Sequence, residues 1–294
     1  MTTGRIFKIE RDHYFVKVGD ALIRATGRGV FRKRKIHPLV GDYVTIEEDG
    51  ENDALITEVH PRKNALIRPP IANVDQAIVV FSAVEPDFSL HLLDRFLTGF
   101  SAYRIDPIIC LTKVDLASEE TLQEVRKYLT YYEAIGYQTF ETSIDDPFSF
   151  EKVQPYFEGK TTVLAGQSGV GKSTLLNSWA PDLQIQTAEI SEVLGRGRHT
   201  TRHVELHPLG GGLLGDTPGF SSLDFDHIER EQLRLHFKEF VAVQDDCKFR
   251  GCLHLKEPKC AVKQGVEEET IAPHRYKHYN QFMEEITNRK PRYS

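Results

Sequence analysis

The chain has 294 residues, a formal charge of -6 at pH 7 and a pI near 6.1. That length accommodates two or three domains, each with its own core. The mild acidity excludes a global electrostatic drive toward nucleic acid, so any such contact must come from local basic patches. Residues 1–6 lack the charged and apolar regions of an export signal, and no apolar run is long enough to span a bilayer. A cytoplasmic protein without membrane contact, acting as a monomer, is the expectation.

Residues 5–61 read as short strands at 6–9, 14–18, 21–24, 43–46 and 54–59, separated by Gly, Asp and Asn. Closely spaced short strands predict an OB-like β-barrel over 1–68. Pro69-Pro70 marks a boundary, because proline breaks both ladders and helices. Beyond it, the near-continuous apolar runs at 75–82, 108–111 and 161–165 read as parallel strands covered on both faces, with helical stretches near 92–100 and 119–133 between them. The resulting multidomain α/β layout has a doubly wound sheet over 69–222, whose ligands belong at the carboxyl ends of the strands. From Leu223 the strand pattern stops. Leu233, Phe237 and Phe240, then Tyr276, Tyr279, Phe282, Met283 and Ile286, recur at helical spacing and predict a small helical domain over 223–294.

Three nucleotide motifs follow apolar runs directly. Gly166-Gln167-Ser168-Gly169-Val170-Gly171-Lys172-Ser173 matches the phosphate loop, in which glycines let backbone amides curl around phosphate oxygens at a helix N-terminus. Lys172 would reach the β- and γ-phosphates, Ser173 would ligate Mg²⁺, and Thr174 opens the following helix. Asp216-Thr217-Pro218-Gly219 places a carboxylate to meet Mg²⁺ through water and a glycine amide to meet the γ-phosphate. Thr112-Lys113-Val114-Asp115 fits the guanine-recognition pattern: the Asp115 carboxylate can accept both the N1 and N2 protons of guanine, a pair adenine lacks, while Lys113 packs along the base. Thr142-Ser143 would back this up at the guanine oxygen. Ras-like GTPases carry the guanine tetrapeptide after the phosphate loop, whereas here it comes first, so the domain reads as a circularly permuted P-loop GTPase.

Between helix and carboxylate, the segment 195–203 is glycine-rich and basic, as suits a switch loop ordered by Mg²⁺ and γ-phosphate. Thr200 or Thr201 is its sensor threonine, and spacing does not separate them. Phe220 stands where Ras-like enzymes place the glutamine that orients water, which an apolar ring cannot do. His199 is the substitute candidate; its alternative is a solvated histidine without a chemical role.

Cys247, Cys252, His254 and Cys260 give C-x4-C-x-H-x5-C, a soft set of three thiolates and one imidazole suited to tetrahedral zinc. Four protein ligands leave no open position, so the metal is expected to be structural. Two basic groups, 28–35 around Phe31 and the set Arg275, Lys277, His278, Arg289, Lys290 and Arg292, read equally as solvated surface or as RNA contacts.

On these motifs, over essentially its whole length, the chain resembles the RsgA (YjeQ) family of small-ribosomal-subunit-dependent GTPases. The resemblance implies GTP hydrolysis to GDP and phosphate, stimulated by the small subunit late in its maturation, with the barrel and the zinc domain touching rRNA. Two other classes fit the same residues: a non-catalytic RNA-binding module holding GTP as a structural ligand, and a metabolic phosphotransferase. The permuted order runs the chain from Asp216-Thr217-Pro218-Gly219 straight into the zinc domain, so γ-phosphate contacts could reposition that domain.

Overall fold

The computed structural model describes residues 1–29, 31, 36–49, 53–143, 146, 149–181, 204–216 and 223–289. Its first five strands are β1 (Thr2–Glu10), β2 (His13–Val18), β3 (Ala21–Gly27), β4 (Tyr43–Asp49) and β5 (Asp53–Val59). They pair in the order β1-β2-β3-β5-β4, and β4 returns to β1, with β3 and β5 parallel. This closed ring is the OB-like barrel expected from the sequence. Its interior follows the period of two: Val44 and Ile46, Ala54 and Ile56 are buried together with Ile6, Val16 and Ala25.

A two-stranded ribbon, β6 (Ala65–Leu66) with β7 (Ile71–Ala72), links the barrel to the strands β8 (Gln76–Ser82), β9 (Asp106–Thr112), β10 (Gln138–Glu141), β11 (Thr161–Ala165), β12 (Glu205–Leu209) and β13 (Gly212–Asp216). Their order is β10-β9-β8-β11-β13-β12, parallel throughout except for β12. Every residue of β8 and β11 is buried, which is why these strands read as unbroken apolar runs. Alternation sorts their side chains. Val79 and Phe81 face α1 (Leu90–Ala102) and α2 (Glu119–Ala134), whereas Ile78 and Val80 share a core with α3 (Ser149–Phe157) and α4 (Lys172–Trp179). Ser89 and Ser118 cap α1 and α2 by accepting from Leu92 and Thr121 amides. The sequence analysis placed no element at α3, a helix that carries Pro155 within it and is anchored by the fully buried Val153 and Phe157.

One pairing was not foreseen. Strand β1 of the barrel bonds β12 at Lys8 and Glu205, whose side chains also form an ion pair at 3.4 Å, so barrel and nucleotide domain share one continuous eleven-stranded sheet.

Beyond Leu223 come α5 (Arg230–Leu233), α6 (Lys238–Val243), α7 (Ala261–Glu267) and α8 (Pro273–Asn288) around a core of Phe225, Phe237, Phe240, Tyr279 and Phe282. No described helix is long and apolar enough to cross a membrane.

Candidate functional site

Parallel pairing brings the carboxyl ends of β8, β9, β10, β11 and β13 to one edge of the sheet. Thr112 ends β9, Thr142 follows β10, Gly166 follows β11 and Asp216 ends β13. Motifs far apart in the chain therefore meet because each was carried at the end of a strand. A cavity of about 160 Å³ opens there, lined by Thr112, Lys113, Asp115, Thr142 and Ser143 on one side and by Gly171 and Thr174 on the other. The guanine tetrapeptide and the phosphate loop border the same space. Leu116, Leu175 and Ser178 complete the wall. Sequence reasoning had not singled them out; for Ser178 the helical step of four from Thr174 was the available signal.

The phosphate loop has the backbone its glycines predict. Gly166 has φ +144°, and a Cβ there would lie 2.2 Å from the Val80 carbonyl oxygen, so both torsion and space demand glycine. Val170 is buried, and Gln167, Ser168 and Gly169 complete the turn into α4, which starts at Lys172 with Ser173 beside it. Lys172 Nζ donates to the carbonyls of Gly166 and Gln167 at 2.7 and 2.6 Å. Burial lowers its pKa to about 8.

Thr112, itself buried, ties the two halves together. Its hydroxyl lies 2.7 Å from the Val170 carbonyl in the phosphate loop and 3.1 Å from that of Phe81 on the neighbouring strand. Lys113 has a positive φ of 56° and donates from Nζ to the Glu85 carbonyl. Pro86 comes close to Gly169, so the turn after β8 touches both motifs, a role its sequence does not advertise. Val114 packs partly buried against the core. The threonine at 142 is buried, with its amide bonded to Leu111.

Asp216 and Ser173 present hard oxygen donors at the ends of neighbouring strand units, β13 and β11 with α4, a donor type that fits magnesium. His199, Thr200, Thr201 and the rest of 195–203, together with Thr217, Pro218, Gly219 and Phe220, lie outside the described residues.

The second site is the cysteine cluster. The ligand atoms of Cys247, Cys252, His254 and Cys260 all lie within 4.8 Å of one another. Cys247 and Cys260 sulfurs are 4.0 Å apart, and His254 Nδ1 stands 3.6 and 3.3 Å from them. Zinc–sulfur bonds of about 2.3 Å in a tetrahedron give edges of about 3.8 Å, so the four atoms fit that ion. Burial raises the thiol pKa of Cys252 and lowers that of the His254 imidazole to about 4; a divalent cation reverses the first penalty and takes the neutral ring the second favours. The cage is braced from α8: Tyr276 and Tyr279 hydroxyls donate to the His254 and Leu253 carbonyls at 2.7 and 2.6 Å.

Both basic groups change meaning in three dimensions. Phe31 is buried in the core with the barrel residues and is therefore not an exposed stacking surface. Arg28 pairs with Glu47, while Val30 and residues 32–35 lie outside the described residues. Arg275 is fully buried, with Nη1 donating to Asp94 at 2.5 Å and Nε to Glu239 at 2.6 Å, and His278 Nδ1 stands 2.6 Å from Asp94. These two side chains face inward and cannot meet RNA. Lys290 and Arg292 lie outside the described residues.

Comparison with known proteins gives a consistent result. A family model described as RsgA GTPase matches residues 59–226, and one described as RsgA N-terminal domain matches residues 3–56. The chain is 54% identical over 296 residues to "Small ribosomal subunit biogenesis GTPase RsgA" of Bacillus velezensis and 53% identical over 298 residues to the protein so named in Bacillus subtilis, covering 100% of both chains in each case. Among solved structures it resembles YloQ, a circularly permuted GTPase, with a TM-score of 0.85 at 49% identity, covering 100% of this chain and 97% of that one. It matches YjeQ from Thermotoga maritima with a TM-score of 0.85 at 33% identity, covering 98% of this chain and 99% of that one.

Proposed function

The chain belongs to the RsgA GTPase family, and on that premise we propose that it hydrolyses GTP to GDP and phosphate in the biogenesis of the small ribosomal subunit, binding that subunit and its rRNA as a cytoplasmic monomer. The observation that carries this reading is the shared cavity: Asp115 and Ser143 line it together with Gly171 and Thr174 of the phosphate-loop helix, so a base held at one end leaves its phosphates at the other. Asp115 selects guanine, Lys113 lies along the ring and Thr112 keeps the two loops in register. Backbone amides from Gly166 to Thr174 and the Lys172 ammonium bind the phosphates. Ser173 and Asp216 would hold Mg²⁺, which would supply neutralising charge to the phosphates when bound. Thr200 or Thr201 and the Gly219 amide sense the γ-phosphate, and His199 orients the attacking water. Zinc on Cys247, Cys252, His254 and Cys260 keeps the domain over 223–294 folded, and the domains divide at 68 and 222.

Phosphate release from GTP and from ATP, with and without small subunits, tests the reading. Release specific to GTP and raised by the subunit supports it. Equal use of ATP, or transfer of phosphate to a small molecule, overturns it. His199→Ala is expected to abolish stimulated release while GTP affinity holds; an unchanged rate removes the water-orienting role.

A further inference from the structure

Residues 83–89 connect β8 to α1 and touch both the guanine tetrapeptide and the phosphate loop. Both ends of this turn are fixed: the Ala83 amide donates to the Thr112 carbonyl at 2.9 Å, and the Phe88 ring meets Phe81 edge-on and stacks on Tyr128. Between them, two consecutive carbonyls are held from outside the turn. That of Glu85 accepts from Lys113 Nζ, and that of Pro86 accepts from the Ser82 hydroxyl at 2.8 Å. The Pro86 ring faces the phosphate loop, its Cδ lying 3.8 Å from where a Cβ on Gly169 would stand.

Ser82 is the last residue of β8, pairs with Thr112 in the register of the sheet and is 1% exposed, so its hydroxyl has no water to turn to. Glu85 and Lys113 have φ of 46° and 56°, a left-handed backbone that a residue with a Cβ keeps only where its surroundings fix it. Two such residues bonded to each other make a clamp. The Lys113 ammonium stays in place because the Glu85 carbonyl is aimed at it, and that carbonyl stays aimed because the next one is tied to Ser82.

We propose that Ser82 is a positioning residue for nucleotide binding: through the Pro86 and Glu85 carbonyls it holds Lys113 beside the base and keeps Pro86 against Gly169. The inference rests on the reading that Lys113 lies along the base. The Ser82 hydroxyl bonds to the Pro86 carbonyl and not to Ser173 or Asp216, so its effect belongs in affinity rather than in turnover.

A double-mutant cycle on the full chain, read in nucleotide affinity, tests this, because residues that act through each other are not additive. Ser82→Ala is expected to weaken GTP and GDP alike by about fivefold, the worth of one neutral hydrogen bond, with turnover at saturating GTP within about twofold of the wild type. Lys113→Met keeps the apolar stem and removes the ammonium. It is expected to weaken both nucleotides further than Ser82→Ala does, and adding Ser82→Ala to it should cost less than about twofold more. On an Asp115→Asn background, by contrast, Ser82→Ala should still cost its full share of about fivefold, since that carboxylate is no part of the chain of bonds from Ser82. A Ser82→Ala effect as large with Lys113→Met as without it overturns the proposal, and so does an unchanged affinity. Saturated turnover that falls as far as affinity also overturns it, because that is what a merely distorted domain would give. Should Ser82→Ala fail to fold, Ser82→Cys, close to serine in size and only a weak donor, carries the same cycle. A wild type that takes ATP as readily as GTP sinks the guanine reading, while the cycle still decides on Ser82.

Discussion

The nucleotide cavity and the junction under α8 are both built from polar side chains that reach across the chain, but they bond to different things. In the cavity, Thr112, Lys113 and Lys172 donate to backbone carbonyls, which are neutral. At the junction, Arg275, His278 and Arg95 meet the carboxylates of Asp94, Glu239 and Glu285. Neutral partners hold a cation in place without cancelling its charge, which suits a site that has to receive an anion. Opposed charges cancel, which suits a joint that has to hold still. The same residue types thus serve binding in one place and attachment in the other, according to what they are bonded to.

The largest expected effect is at the zinc cage: Cys252→Ser, or chelation, should release the metal and unfold the region around it, because metal binding there is folding free energy on the order of 10 kcal/mol. Metal content together with circular dichroism checks this, and a chain that loses zinc without losing helicity would contradict a structural role. Next comes Arg275→Met, which leaves Glu239 buried without its cation and Asp94 with only His278 and the Tyr132 hydroxyl, and should cost about 3–5 kcal/mol in denaturant unfolding. Arg275→Met combined with Asp94→Asn should recover part of that loss. If single and double variants are equally unstable, the charges are not what holds the joint.

At the cavity, Asp115→Asn should weaken GTP about hundredfold, two charge-assisted bonds being replaced by one poor match, and shift preference to xanthosine triphosphate in a competition assay. Thr112→Val removes a hydroxyl that bridges two carbonyls and should weaken GTP only a few-fold, about 1 kcal/mol. The smallest effect is the pH profile of Lys172. Its lowered pKa of about 8 means that the free site loses its ammonium above that pH, so GTP affinity should decline as pH rises through 8. Stability has the opposite sign. Between about 8 and the unfolded value near 10.4 the unfolded chain binds more protons, so folding is favoured as pH rises. Affinity that is flat from pH 7 to 9 would remove Lys172 from phosphate binding.

Much of the molecule was legible before folding. Glycines at 166, 169 and 171, the carboxylate at 115 and the thiols at 247, 252 and 260 are local patterns, and each encodes chemistry that does not depend on distant neighbours. Period-two and near-continuous apolar runs likewise announced the barrel and the buried parallel strands. What misled was charge in the terminal helix. Arg275 and His278 have the spacing of an exposed basic face, and only the docking of α8 on Asp94 turns them inward. Phe31, inside the other basic run, is likewise buried in the core and not exposed among the cations.

The sequence by itself determined which chemistry this protein carries and in what order the pieces come, because backbone torsions, donor sets and apolar periodicity are properties of short segments. Tertiary structure alone decided that the reordered motifs border one cavity, that β1 extends the nucleotide sheet through β12, and that Arg95 and Asp94, adjacent on one helix, both answer to α8. Those outcomes depend on burial and pairing between residues far apart along the chain. No local pattern records a partner that only packing supplies.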